Sequence, residues 1–369
     1  MPPRPEPHGS AAQPLVLAWA VLIIYASLHP FTGWRWPGQP FPDVLWLPWP
    51  RHNQRFDIIA NLLAYMPLGL FVVVALLRRG HPHDRAVRVA ALSGMALSLS
   101  MEWLQILLPM RVPSRLDWLL NSTGAVLGAF SAILAERLGL LQRWQDLRER
   151  WFVPQPSAGL VLLLLWPLGL LFPPPVPMGL GHGLASLAEQ LDTWLAGTAL
   201  EGWVPLPAPS LYPLSPGSEV LAVALGVLAP CFVGYTIART GWRRLLLLAF
   251  AAVLGLGVTT LSTALNFGPD HALAWLTAPV WPAFGLALLA GLGLAWAPTR
   301  LVAGLGLAAL TLHLALVNQA SIDPYIAQSL LDWAQGRFIR FHGLAQWVGW
   351  VWPYAALVYL ALRLAVRDD

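Results

Sequence analysis

The sequence predicts an all-α, polytopic membrane protein, and three observations carry that expectation. Of 369 residues, 57% are hydrophobic and only 11% are charged, whereas a soluble domain needs about 25% charged residues to cover its surface. Apolar runs recur at close to the roughly 20 residues that cross a bilayer as a helix. The 22 basic residues are all arginine, and most of them collect in short loops between alternate runs, as topology signals do.

The chain opens with a polar, proline-rich stretch, "MPPRPEPHGSAAQP", followed by "LVLAWAVLIIYASLHPF". No small-residue cleavage site follows that run, so it is expected to stay as a first span. Ten spans are expected, at 13–30, 57–77, 86–108, 116–138, 156–173, 218–238, 242–262, 272–296, 299–320 and 344–366. The fifth is short and contains Pro167. Pro67, Pro230, Pro282 and Pro353 fall inside spans, where a bundle accommodates kinks.

Arg78, Arg79, Arg85 and Arg88 follow span two, and Arg137, Arg143, Arg148 and Arg150 follow span four. Arg239, Arg243, Arg244, Arg300, Arg363 and Arg367 fall on the same side, which puts both termini in the cytoplasm. The 174–217 connection has no basic residue, as expected of an external loop. Within it, Leu184, Leu187, Leu191, Trp194 and Leu195 share a face and suggest a helix lying on the membrane; "VPLPAPSLYPLSP" (204–216) reads as a stiff connector. Arginines in the outer loops, Arg35, Arg51, Arg55, Arg111 and Arg115, are not explained by orientation and call for a local partner. No basic run interleaved with aromatics points to nucleic acid. The single cysteine, Cys231, excludes an internal disulfide, and isolated His182 and His271 lack a second ligand at metal spacing; no metal or cofactor is expected.

Polar groups converge on one end of the first four spans. "FDIIAN" and "LDWLLN" each place an aspartate and an asparagine four residues apart, Asp57 with Asn61 and Asp117 with Asn121, hence on one helix face. Glu102 and Gln105 share a face of the intervening, oppositely directed span. Glu102 lies about six residues, on the order of 9 Å, from the outer end. A carboxylate at that depth costs a few kcal/mol unless it is paired or protonated. Arg111 and Arg115 sit on the hairpin directly above. The same residues can instead form a self-paired polar network that fixes helix packing, or, for the aspartates, simple helix-start interactions. The "GAVLG" spacing of Gly124 and Gly128 lets a neighbouring helix approach closely.

"YASLHPFTGW", "FDIIANLLAYMPLG", "SMEWLQ" and "MRVPSRLDWLLNSTGAVLG" together resemble the VanZ-like family of bacterial membrane proteins, over about residues 15–140. The resemblance implies a four-helix unit over 1–150 in a multi-pass protein of the bacterial inner membrane; the chain departs from the family pattern in its six further expected spans, over 151–369. It supports Asp57, Asn61, Glu102, Gln105, Arg111, Arg115, Asp117 and Asn121 as ligand-binding residues, with Pro67, Gly69 and Gly124 as part of the pattern. The family's namesake is associated with resistance to teicoplanin-type glycopeptides, and other members accompany exopolysaccharide or protein-sorting machinery. The expected partners are membrane lipids and a lipid-linked envelope precursor, bound through an anionic head group at a periplasm-facing site. Two alternatives use the same residues: an enzyme acting on a lipid phosphate, with Glu102 or Asp57 as general base, and a transporter. "SIDPYIAQSLLDWAQGRFIRFHG" (321–343) resembles the tail of longer family members.

Overall fold

A computed structural model describes residues 12–29, 31–38, 46–50, 55–154, 156–198, 200–203, 214–320 and 339–365. Residues 1–11, Arg51, most of the 204–216 connector, most of 321–343 and Arg367 lie outside the described residues, as does the side chain of Arg55. The described residues are helical and form no strand. The chain divides into two compact units, Met1–Arg148 and Glu149–Asp369.

The first unit contains α1 (Ala12–Leu28), α2 (Arg55–Leu77), α3 (His83–Ile106), α4 (Arg115–Arg137) and most of α5 (Leu140–Trp151). The second holds α6 (Ser157–Leu170), α7 (Leu184–Leu195), α8 (Pro216–Ile237), α9 (Trp242–Phe267), α10 (Val280–Leu294), α11 (Thr299–Val317) and α12 (Ile339–Ala365). Seven helices among the described residues are long and apolar enough to cross a membrane: α2, α3, α4, α8, α9, α11 and α12. Three shorter apolar helices, Gln13–Leu28, Ser157–Leu170 and Val280–Leu294, fall on the remaining expected spans.

Prolines account for the shortening. Pro279 occupies the N-cap of α10 and disfavours helix at Ala278. Residues 272–279, expected inside one long span, are accordingly turns and irregular chain. Pro156 caps α6, and Pro173, Pro174 and Pro175 follow shortly after its end. The other difference is α5, a twelve-residue helix where a polar loop was expected.

In the first unit α2 and α4 meet backbone to backbone. A Cβ on Gly124 would stand 2.2 Å from the Leu62 carbonyl oxygen, and one on Gly128 would stand 1.8 Å from that of Met66. A Cβ on Gly69 would stand 1.9 Å from the Ala125 oxygen. The contacts advance together along both chains, from Leu62–Gly124 to Met66–Gly128, so the helices run parallel. Helix α3 closes on the same seam, where a Cβ on Gly94 would come within 2.4 Å of Ala125 Cβ. Indole donors fix the remaining faces: Trp19 Nε1 donates to the Ala64 carbonyl at 2.7 Å, and Trp118 Nε1 donates to that of Met95 at 3.2 Å.

The second unit is built around α8, which is buried from Ala222 to Ile237 apart from Leu225. Buried Arg244 donates to the carbonyls of Ala238, Leu294 and Ala297, and its guanidinium lies over the Tyr235 ring. This arginine of the topology signal therefore also ties three chain segments together. His182, in the loop before α7, stacks on Phe172 at 5.4 Å. Burial pushes its imidazole down to about 4, and a hydrogen bond with the Gly179 backbone offsets part of that.

Two outcomes follow. Gly128→Ala should prevent formation of a monodisperse protein or lower its midpoint sharply, because the added methyl meets backbone. Gly257→Ala on α9, where a Cβ meets nothing within 4 Å, should be neutral; size-exclusion profiles after graded heating separate the two. His182 binds a proton more readily in the unfolded chain than in the folded one. Its contribution to stability is therefore intact above about pH 6.5 and is lost progressively towards pH 4. His182→Phe should flatten thermal stability over that window.

Candidate functional site

The site lies where the 107–114 hairpin joins α3 to α4. Ser114 is the N-cap of α4; its hydroxyl accepts from the backbone N–H groups of Leu116 and Asp117 at 3.1 and 3.3 Å. In a self-contained capping box the residue three positions on would return a side chain to the Ser114 N–H. Here that N–H donates to Glu102 Oε2 of α3 at 2.8 Å. Glu102 is 3% exposed. Its carboxylate meets the positive end of the α4 dipole through a charge-assisted bond, which compensates for its burial at a depth where an isolated charge would be costly.

The rest of the buried network runs from Glu102 along α3. Gln105 Nε2 donates to the Ser27 carbonyl of α1 at 3.0 Å. One turn back, Ser98 accepts from Asn121 Nδ2 at 3.0 Å. Tyr65 of α2 is buried beside Ser98 and Glu102, and its hydroxyl makes no hydrogen bond of good geometry. Asn121 Oδ1 is likewise buried without a hydrogen-bond partner.

At the outer end of the network, arginines take over. Arg111 is half-buried, and its Nη2 donates to the carbonyls of Ala26, at 3.2 Å, and His29, closing the C-terminal end of α1. Arg115 is exposed and places its guanidinium 5.2 Å above the Trp46 ring, while its N–H donates to the Pro48 carbonyl at 3.0 Å. The N–H of exposed Arg35 donates to the Leu107 carbonyl at 2.9 Å, strapping the first outer loop to the hairpin. Among the described residues neither Arg35 nor Arg115 forms an ion pair. A cleft of about 420 Å³ opens here, lined by Arg35, Trp36, Gly38, Ile106, Leu108 and Arg111 together with two prolines.

The structure therefore brings Glu102, Gln105, Arg111 and Asn121 into bonded contact with neighbouring helices. Asp117 is half-buried in the first turn of α4. Asp57 is exposed and Asn61 half-buried on α2, and neither forms a hydrogen bond with a described residue. Tyr65, Ser98, Ser114 and Arg35 belong to the arrangement but were not singled out from the sequence as site residues. Two signals were present: Tyr65 continues the Asp57–Asn61 stripe by one turn, and "SRLD" has capping-box spacing.

Glu102→Ala should destabilise the protein by about 1–3 kcal/mol, the cost of leaving a buried N–H unsatisfied. Glu102→Gln keeps an acceptor for Ser114 and should recover most of that loss in thermal unfolding. Equal losses in the two variants would refute the latch.

Residues 12–136, from α1 to the end of α4, match the family model described as VanZ/LLP1. Neither the comparison with curated proteins nor that with solved structures gave a match.

Proposed function

We propose, from the premise that residues 12–136 form a VanZ-like membrane unit, that this unit binds the anionic head group of an amphiphile in the cleft between the first outer loop and the 107–114 hairpin. One observation carries the reading: the residues that line the cleft combine two arginines, Arg35 and Arg111, with apolar Ile106 and Leu108. A phosphate or carboxylate with an attached hydrocarbon matches both kinds of lining residue. Arginine suits such a group because its planar fork offers paired donors and keeps its charge. The carbonyls of Ala26 and His29 hold Arg111 in place among the lining residues. Exposed Arg115, held over Trp46 at the other end of the 107–114 hairpin, would add a third cation.

A lipid-linked envelope precursor has this chemistry and would meet the unit from the periplasmic side in the orientation the arginine distribution favours. The associations with glycopeptide resistance and with polymer or protein export would then reflect capture of such a precursor. Glu102 serves this site as a positioning residue, since it fixes the hairpin that carries Arg111 and is not among the cleft's lining residues. A role as general base gains no support from that placement.

The test uses purified full-length protein and native mass spectrometry with an undecaprenyl phosphate probe and the uncharged alcohol as control. Wild type should retain the phosphate in preference to the alcohol. Arg35→Gln and Arg115→Gln, which leave the α1 carbonyls capped, should each reduce retention roughly fivefold, about 1 kcal/mol per cation. Equal retention of phosphate and alcohol by wild type would overturn the proposal.

A further inference from the structure

Helix α5 carries a second feature, at the opposite end of the first unit from the Glu102 latch. Because α2 and α4 run parallel, their C-terminal ends lie together, and α5 begins immediately beyond α4. Gly139 makes that turn with φ 69°, its N–H donating to the Glu136 carbonyl at 2.9 Å; such a left-handed C′ position is where glycine is favoured.

The sequence of α5 is "LLQRWQDLRERW". At about 100° per residue, Leu140, Trp144 and Leu147 fall within roughly 60° of one another. They are 45%, 50% and 45% exposed, a continuous apolar stripe over the first two turns of the helix. Arg143 and Arg150 border the stripe on one side and Arg148 on the other, while Asp146 and Glu149 point away from it. Leu141, about a quarter-turn from the stripe's centre, packs on the unit's core. Arginines at the two edges, acids behind and a tryptophan at the centre are what a helix lying at a bilayer surface requires, with cationic heads rising to phosphate level while their stems stay apolar.

The second observation is independent of the stripe. Arg78, just past α2, lies close enough to Arg148 for the two charges to repel. The surrounding protein first, and the charge of Arg148 second, hold the Arg78 guanidinium below the ordinary arginine range. Among the described residues neither arginine forms an ion pair with a carboxylate. Their neighbours at this end are paired elsewhere: Arg88 with Asp84 at 2.6 Å, and Glu136 with His83 at 2.5 Å. Two guanidiniums that repel one another are both stabilised by a nearby anion.

We infer that α5 lies in the cytoplasmic head-group layer with Leu140, Trp144 and Leu147 among the acyl chains, and that Arg148 at the stripe's edge, with Arg78 on the same end of the unit, attracts the phosphate of an anionic phospholipid. The lipid would anchor the end of the unit remote from the cleft. A soluble anion would meet the same two arginines but would leave the apolar stripe unused, so the pairing of stripe and cations favours a lipid.

Two measurements on the full chain test this. Single spin labels, in a Cys231→Ala background, are placed along α5 in nanodiscs containing phosphatidylglycerol. Labels at Leu140→Cys, Trp144→Cys and Leu147→Cys should collide preferentially with oxygen, and labels at Asp146→Cys and Glu149→Cys with a water-soluble nickel chelate. Uniform access to the chelate around the helix would overturn the placement. In native mass spectrometry, Arg78→Gln and Arg148→Gln should each lower retention of phosphatidylglycerol about fivefold. Phosphatidylcholine retention, and the control Arg88→Gln, should be unchanged. Undiminished phosphatidylglycerol retention in the double variant, or its displacement by equimolar inorganic phosphate, would defeat the lipid assignment.

Discussion

The first unit depends on the absence of side chains between α2 and α4. Within lipid there is little hydrophobic gain from pressing one apolar helix on another, so association rests on van der Waals contact, hydrogen bonds and how near the backbones can come. Glycines at 69, 124 and 128 remove the atoms that would hold the helices apart, and each faces a carbonyl oxygen of the partner helix. Any larger residue meets backbone, which cannot rotate away as a side chain can. The parallel register of α2 and α4 is therefore over-determined, and with it the end of the bundle at which their polar residues are found.

That register places the polar network and sets what it can do. Parallel α2 and α4 require a returning helix, and α3 supplies it, delivering Ser98, Glu102 and Gln105 to the seam. The return to α4 is a short hairpin, so the free N–H groups of the α4 start lie within reach of α3. Glu102 takes one of these in the place a local capping side chain would occupy. A buried carboxylate thus takes a backbone N–H of the following helix as one of its partners, while Arg111 of the hairpin reaches the carbonyls of α1 and lines the cleft. Removing one partner would leave a buried donor or charge alone, the condition under which a polar network costs most.

How much of this was legible in the sequence depends on which kind of partner each residue uses. The ten apolar helices follow directly from hydropathy, and their shortening at Pro156 and Pro279 could be read from where those prolines fall. Glu102, Gln105 and Asn121 were identifiable because a polar group in an apolar helix must have a partner. Their actual partners were not identifiable: the N–H of Ser114, the carbonyl of Ser27 and the hydroxyl of Ser98 depend on register between helices, which a single chain's spacing does not encode. Asp57 and Asn61 show the converse. Their spacing repeats that of Asp117 and Asn121, yet side chains nearer the water can be satisfied without joining the network. Helix α5 was hidden for a third reason: its five charged residues lower its average hydropathy, and only their angular placement reveals an apolar stripe.

The arginines show why a count of charges by loop is not enough. Positive-inside arithmetic leaves Arg35, Arg111 and Arg115 on the wrong side and explains Arg244 by position alone. In the folded chain Arg111 and Arg244 do the same kind of work, closing carbonyl groups at helix ends. Carbonyl oxygens satisfy a guanidinium's donors while leaving its net charge in place. For Arg244, shut inside the second unit, that charge is spread over several carbonyls and the face of Tyr235. For Arg111 the same kind of bond holds the guanidinium at the lining of an open cleft. The same bonds that end α1 therefore also set the position of Arg111 among the residues that line the cleft, so the proposed ligand-binding role and the structural one rest on a single arrangement.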